Sequence, residues 1–126
     1  RILAIHRLKT AVPAGTLARM GATVGKGSKR QIEAIGRYFE SVGLAFQIMD
    51  DVLNLRGLYS NTSDKLKQGT VLKRLGEDIV DGKVTMPVAK YMALEPDVAK
   101  RQAMWDLVKS KPQDQKIVDD CIATLE

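Results

Sequence analysis

The sequence predicts an all-α protein, an antiparallel bundle of helices. Three observations predict it. Apolar residues recur at spacings of three and four along nearly the whole chain, the period of a helix with one buried face. No stretch shows the strict apolar–polar alternation of a half-buried strand. The breaks between periodic segments carry helix punctuation (prolines, glycines and capping side chains) rather than hairpin turns. Segments of this kind bury their apolar faces against one another, and short connections make neighbours antiparallel.

Residues 1–24 place Ile2, Ile5, Leu8, Val12, Leu17 and Met20 on the helical period, with Pro13 expected to bend or interrupt the helix. "GKGS" ends this segment, and Ser28 with Gln31 three residues later is the capping-box signature of the next helix. That next helix has a stripe of Ile32, Ile35, Phe39, Val42, Phe46, Met49 and Leu53, expected to pack into a bundle. On another face Gln47, Asp50, Asp51 and Asn54 fall at i, i+3, i+4 and i+7, so all four project from one side. Gly36 and Gly43 lie further back on that side, leaving room for a neighbour or an apolar ligand.

From Arg56 to Leu75 the period fades, and "RGLYSNTSDKLKQGT" reads as a mobile loop, in a position suited to a lid. "GEDIVDGK" reads as a short helix or turn, and "VTMPVAKYMAL" as a helix with Pro87 in its first turn. Pro96 with Asp97 opens a helix running to about Ser110. Pro112 and Asp114 open a last one, with Ile117, Val118, Cys121, Ile122 and Leu125 on one side.

The 126 residues suit one domain or half of a larger one. "RILAIHRLKTAV" reads as the inside of a helix from its first residue, so the chain is expected to be a piece of a longer protein, with any targeting signal upstream of Arg1. A hydrophobic content of 44% beside 28% charged residues excludes wholesale disorder, and no apolar run approaches the ~18 residues of a membrane span. The net charge is +5, but the basic residues are not blocked into a tail and the 5% of aromatics show no stacking pattern. Nucleic acid is therefore not the expected partner; a small polyanion is. Cys121 is alone, which excludes a disulfide framework within the chain and a cysteine zinc site, and it reads as a buried thiol. His6, equally alone, reads as a packed or solvated side chain. A second acidic pair, Asp119–Asp120, reads as exposed.

The chemistry gathers in "AFQIMDDVLNLRG". An unpaired carboxylate is costly to bury, so Asp50 and Asp51 inside an apolar run call for a cation or a solvated cavity facing them. Their oxygens, with that of Asn54 a turn on, suit Mg²⁺, which keeps several waters and takes a few carboxylates together with phosphate oxygens. Lys9, Lys73 and Lys83 are candidate point charges for a diphosphate. The ordinary alternatives are a solvated helix face or a cap for the aspartates, and a surface position for any one lysine.

Taken together, Lys9-Thr10, Phe46-Gln47, Asp50-Asp51-x-x-Asn54, Lys73, Gly76-x-Asp78 and Gly82-Lys83-x-Thr85-x-Pro87 resemble, in order, motifs of the trans-prenyltransferases, the all-α isoprenyl diphosphate synthases. The resemblance covers about the first ninety residues of the chain; the remainder matches only as generic helices. It implies an isoprenoid-synthase bundle, of which residues 1–126 are the C-terminal part, and Mg²⁺-dependent condensation of isopentenyl diphosphate with an allylic diphosphate. On that reading Asp50 contacts Mg²⁺ directly, while Asp51 and Asn54 hold metal-bound waters or orient the cluster. Lys9, Lys73 and Lys83 contact the allylic diphosphate; Phe46, Gln47 and Thr10 line the cavity, the last two near the developing cation. Asp78 positions the adjacent lysines and loop.

Asn54 stands where many members have aspartate, which tilts the expected product toward geranylgeranyl length. The family's first aspartate-rich motif and its isopentenyl diphosphate site are not in these residues. A prenyltransferase domain fused to a terpene cyclase is a related reading. The competing one is a non-catalytic prenyltransferase-like subunit that modulates an active partner. The resemblance further implies a homodimer or higher homo-oligomer, in an intracellular compartment, the cytoplasm being the default.

Overall fold

A computed structural model describes residues 1–56 and 75–126. Among the described residues the secondary structure is all helical, without a strand, as the period predicts. The expected loop between Arg56 and Leu75, residues 57–74 of it, lies outside the described residues, and Lys73 with it. The chain forms two compact units, Arg1–Asp50 and Asp51–Glu126.

In the first unit, helix α1 (Ile2–His6) leads through a π-helical turn, Arg7–Ala11, into α2 (Val12–Val24). The wide turn is the form Pro13 gives the helix. A proline ring collides with the carbonyl four residues back, here that of Lys9, and cannot donate to it. Widening the turn, so that the Val12 N–H bonds the Arg7 carbonyl, carries the chain past that point without breaking it. The expected interruption is therefore a bulge.

The capping box closes as predicted. Ser28 N–H donates to Gln31 Oε1 at 2.8 Å while Gln31 N–H returns to Ser28 Oγ at 3.4 Å, starting α3 (Lys29–Arg56). The face of α3 that meets the first helical segment is the one carrying Gly36, Glu40, Gly43 and Gln47. A Cβ on Gly43 would stand 3.0 Å from the Ala11 Cα and 3.3 Å from the Thr10 carbonyl, so the bare glycine sets how closely the two backbones approach. The room left on that side is taken by a neighbouring helix. One turn earlier, Arg19 Nη1 donates to Glu40 Oε1 at 2.8 Å, with Glu33 3.7 Å from Arg19 Nε. The Glu40 hydrogen bond, then the charges of Glu40 and Glu33, raise the Arg19 pKa further, against partial burial.

The apolar stripe of α3 only borders this contact, Ile35 and Phe39 lining a groove with Leu17 and Ala18 of α2. Phe46 is 67% exposed and Met49 55%, and Ile35, Phe39 and Val42 are exposed as well. In the first unit the helices approach most closely at glycines and beside an ion pair, because small residues allow a closer approach than large apolar ones.

The second unit builds its core from Leu55, Ile79, Val88, Met104, Val108 and Cys121. Its helices are the end of α3 from Asp51, α4 (Glu77–Val80), α5 (Met86–Leu94), α6 (Val98–Lys109) and α7 (Gln115–Leu125). The predicted caps are in place. Asp97 accepts from Ala99 N–H at 2.8 Å, and Asp114 from Lys116 N–H at 2.8 Å. Pro87 stands in the first turn of α5. Val118 and Cys121 are buried, Ile122 and Leu125 pack against the core, and Ile117 is exposed. The Cys121 thiol lies 3.6 Å from the Met104 sulfur, and burial pushes its pKa up. Asp119 and Asp120 are exposed. His6, in the first unit, is packed, at 6% exposure. No helix among the described residues is long and apolar enough to cross a membrane.

Gly76 is the tighter of the two described glycines of the second unit. It sits at φ +70°, in the left-handed region, and an added Cβ would come within 2.4 Å of Val118 Cγ1. Gly76→Ala combines left-handed backbone strain with overpacking, and should cost about 2–4 kcal/mol in urea unfolding. A variant as stable as the parent would contradict this placement of the 75–82 turn against α7.

Candidate active site at the end of helix α3

In the first unit the site residues belong to the π turn and the middle of α3. Lys9 is exposed and Thr10 half-buried in the turn. Thr10 Oγ1 donates to Gln47 Oε1 at 2.9 Å, so two residues thirty-seven positions apart are joined. The Gly43 contact one turn earlier on α3 makes this reach short enough. The bond spends the Gln47 oxygen on Thr10 and turns the amide's NH₂ end outward from it. Phe46 beside it exposes its ring, and Asp50, one turn further along α3, is half-buried.

In the second unit the last turns of α3 grip the "GEDIVDGKVTMP" stretch. Asp51 is 5% exposed, and its Oδ2 accepts the Met86 N–H at 2.8 Å. Met86 is the first residue of α5. Its amide has no acceptor within the helix, and Thr85, the residue before it, makes no side-chain cap. The carboxylate of Asp51 supplies the cap from another helix, and a negative charge there also meets the positive end of the α5 dipole. For Asp51 the ordinary alternative, a cap, is thus what the structure shows.

Asn54 is 2% exposed. Its Oδ1 accepts the Asp78 N–H at 3.2 Å and its backbone carbonyl accepts the Gly76 N–H at 3.0 Å. Both bonds satisfy amides at the start of α4. Gly76 and Asp78 therefore hang from one residue of α3. Asp78 in turn holds Lys83 twice: its carbonyl accepts the Lys83 N–H at 2.8 Å, and its Oδ1 accepts from Nζ at 3.1 Å. Asp81 Oδ2 lies 2.8 Å from the same Nζ. Hydrogen bonds to Asp81 and then Asp78 hold the Lys83 ammonium well above the usual lysine range, so it is charged at any physiological pH. More than half of the Lys83 side chain is exposed, which leaves it accessible to an anion.

Among the described residues no group of three or more His, Cys, Asp or Glu side chains gathers in a way that could hold a metal ion. A cage made only of protein ligands does not fit here. Mg²⁺ is held differently, by one or two carboxylates together with waters and substrate phosphates, and a carboxylate such as that of Asp50 is the donor type this mode uses. The structure brings together Thr10 with Gln47, and Asp51 and Asn54 with the segment carrying Asp78 and Lys83. Sequence spacing alone missed the tie from Asp51 to Met86. The signal was present in Pro87, which marks a helix start, and in Thr85, a cap-type residue whose side chain turns out not to cap.

Comparison with known proteins agrees over the whole chain. The sequence profile of the polyprenyl synthetase family matches residues 1–125. A geranylgeranyl pyrophosphate synthase of Arabidopsis thaliana, mitochondrial, is 37% identical over 97 residues, covering 77% of this chain and 26% of the relative. A chloroplastic geranylfarnesyl diphosphate synthase of Leucosceptrum canum is 33% identical, over 94% of this chain and 28% of its own length. A short chain isoprenyl diphosphate synthase of Methanothermobacter thermautotrophicus is 36% identical, over 94% of this chain and 33% of its own. The chain thus spans about a quarter to a third of the length of these relatives. No solved structure matches it at a significant level.

If the Asp51 carboxylate caps α5, Asp51→Ala should destabilise the protein by about 1–2 kcal/mol in chelator-containing buffer, where no metal contributes. Asp51→Asn, which keeps an acceptor oxygen, should lose less. Equal stability of the parent and Asp51→Ala in urea unfolding would contradict the cap.

Proposed function

This chain belongs to the polyprenyl synthetase family, and from that premise we propose that it is the C-terminal part of a Mg²⁺-dependent trans-prenyltransferase that condenses isopentenyl diphosphate with an allylic diphosphate. One observation carries the reading: the residues that mark the family in this sequence are also the ones that bind each other in the fold. Thr10 meets Gln47, Asp51 meets the Thr85–Pro87 turn, and Asn54 meets Asp78 of the Gly76-x-Asp78 stretch.

Bound Mg²⁺ would neutralise the diphosphate leaving group and help it depart from an allylic carbon. Asp50 is the proposed direct ligand, half-buried at the C-terminal end of α3. Asp51 and Asn54 orient the site, since both side chains are engaged in bracing the second unit. Lys83, charged and accessible, binds diphosphate oxygens as a point charge, and Lys9 and Lys73 share that task. Thr10, Gln47 and Phe46 line the substrate cavity near the developing allylic cation, the hydrogen bond from Thr10 fixing the orientation of the Gln47 amide. Leaving-group binding and shielding from water are thus the work of these side chains; the carbon–carbon bond is made by the double bond of the second substrate.

A geranylgeranyl-length product is the favoured outcome, in keeping with Asn54 and with the names of several relatives. We further read the protein as a homodimer or higher homo-oligomer in an intracellular compartment. The exposed Leu8 and Leu17 of the first unit support an additional packing surface.

The test is incubation of the intact protein with isopentenyl diphosphate and allylic primers, with and without Mg²⁺, reading prenyl products by mass. A Mg²⁺-dependent ladder is expected, and Asp50→Ala should lower its rate by about 100-fold. Unimpaired elongation by Asp50→Ala would contradict the assignment. A folded protein that elongates no primer would favour a non-catalytic subunit that modulates an active partner.

A further inference from the structure

Asn54 occupies a position where an acidic metal ligand would be unremarkable, yet its surroundings fit a different task. Its side chain is 2% exposed, so it is closed to metal-bound water in this arrangement. Because the Asp78 N–H is a donor, the atom facing it must be the oxygen, and the remaining Nδ2 is an N–H donor that a cation would repel. That Nδ2 is buried with no hydrogen-bond partner among the described residues. The cost of an unmet donor is tolerated where the amide's other end serves the structure.

What it serves leads to Lys83. From Asn54 the bonds run to the Gly76 and Asp78 amides, then from the Asp78 carbonyl and carboxylate to the Lys83 amide and ammonium. Three residues beyond Lys83, the Met86 amide is tied to Asp51, which stands one turn from Asn54 on the same face of α3. The lysine is therefore slung between two braces from one helix face.

We propose that Asn54 is a positioning residue, which acts on a bound diphosphate through the Asp78–Lys83 segment rather than through the metal. The proposal rests on the reading of Lys83 as a diphosphate-binding group.

The experiment is a double-mutant cycle on the intact protein with inorganic diphosphate as ligand. It reads two quantities: the Kd at saturating Mg²⁺, and the Mg²⁺ concentration for half-saturation at fixed diphosphate. Asn54→Ala and Lys83→Ala should each weaken diphosphate binding about 10-fold, and the double variant should be no more than about 2-fold weaker than the worse single one. The Mg²⁺ half-saturation should stay within about 2-fold of the parent's in Asn54→Ala. Losses that multiply, or a shift of about 10-fold in the Mg²⁺ requirement, would overturn the proposal.

If Asn54→Ala does not fold, Asn54→Asp carries the same question, since it keeps the acceptor oxygen for Asp78. It should leave both readouts within about 2-fold, whereas a residue acting on the metal would tighten Mg²⁺ binding about 10-fold on gaining a charge. A parent protein that binds no diphosphate with Mg²⁺ would contradict the prenyltransferase reading itself, and this inference with it. A parent that binds normally while the cycle is additive would contradict the coupling alone.

Discussion

The second unit depends on a carboxylate inside an apolar run of α3 accepting the first amide of another helix. Asp51 is buried, and a buried carboxylate is stable only when its charge is met by donors or cations. The Met86 amide and the positive end of α5 meet it. The exchange is reciprocal, since Met86 would otherwise begin α5 with an unsatisfied amide at the edge of the Val88 core. With α5 held in this way, Val88 and Met92 reach the cluster of Leu55, Met104, Val108 and Cys121. Burial of that cluster supplies the unit's main driving force.

The same bond joins structure to chemistry. The two aspartates differ by one residue, and a helix turns about 100° between neighbours, so their side chains leave the helix in different directions. One is committed to α5 and the other is left half-buried at the end of the first unit. The adjacent carboxylates thus differ in what the structure shows of them: Asp51 fixes the helix that follows Lys83, and Asp50 lies half-buried one residue earlier. Asn54 adds the second brace, so that the "GEDIVDGK" turn, which is too short to hold itself rigid, borrows the rigidity of a 28-residue helix.

Much of this was legible in the sequence. Ser28, Asp97 and Asp114 marked helix starts because short polar side chains in front of a periodic run have few other uses. The oxygen-rich stripe Gln47–Asn54 was visible from its spacing, and so was the family, because its motifs keep their order. Two things were not. The stripe running through Phe46 and Met49 looked like the packing face, yet in the first unit the closest approach is made by the glycine face, because periodicity reports which residues are apolar and not which neighbour lies against them. Nor could spacing show that Asp51 and Asn54 bond to amides 35 and 24 residues away, since tertiary caps leave no local pattern on the capping residue. Pro13 was read correctly as a disturbance, and its form, a widened turn carrying Lys9 and Thr10, needed the backbone.

The central claim, that the end of α3 braces the segment carrying Lys83, is tested most directly by hydrogen exchange at the Met86 and Asp78 amides of the intact protein. Both are first-turn amides with no acceptor in their own helices, so any protection must come from Asp51 and Asn54. The account predicts exchange at least about 100-fold slower than the free-chain rate at both positions, comparable to the core of α5. Exchange at the free-chain rate at either amide, with the α5 core still protected, would contradict it.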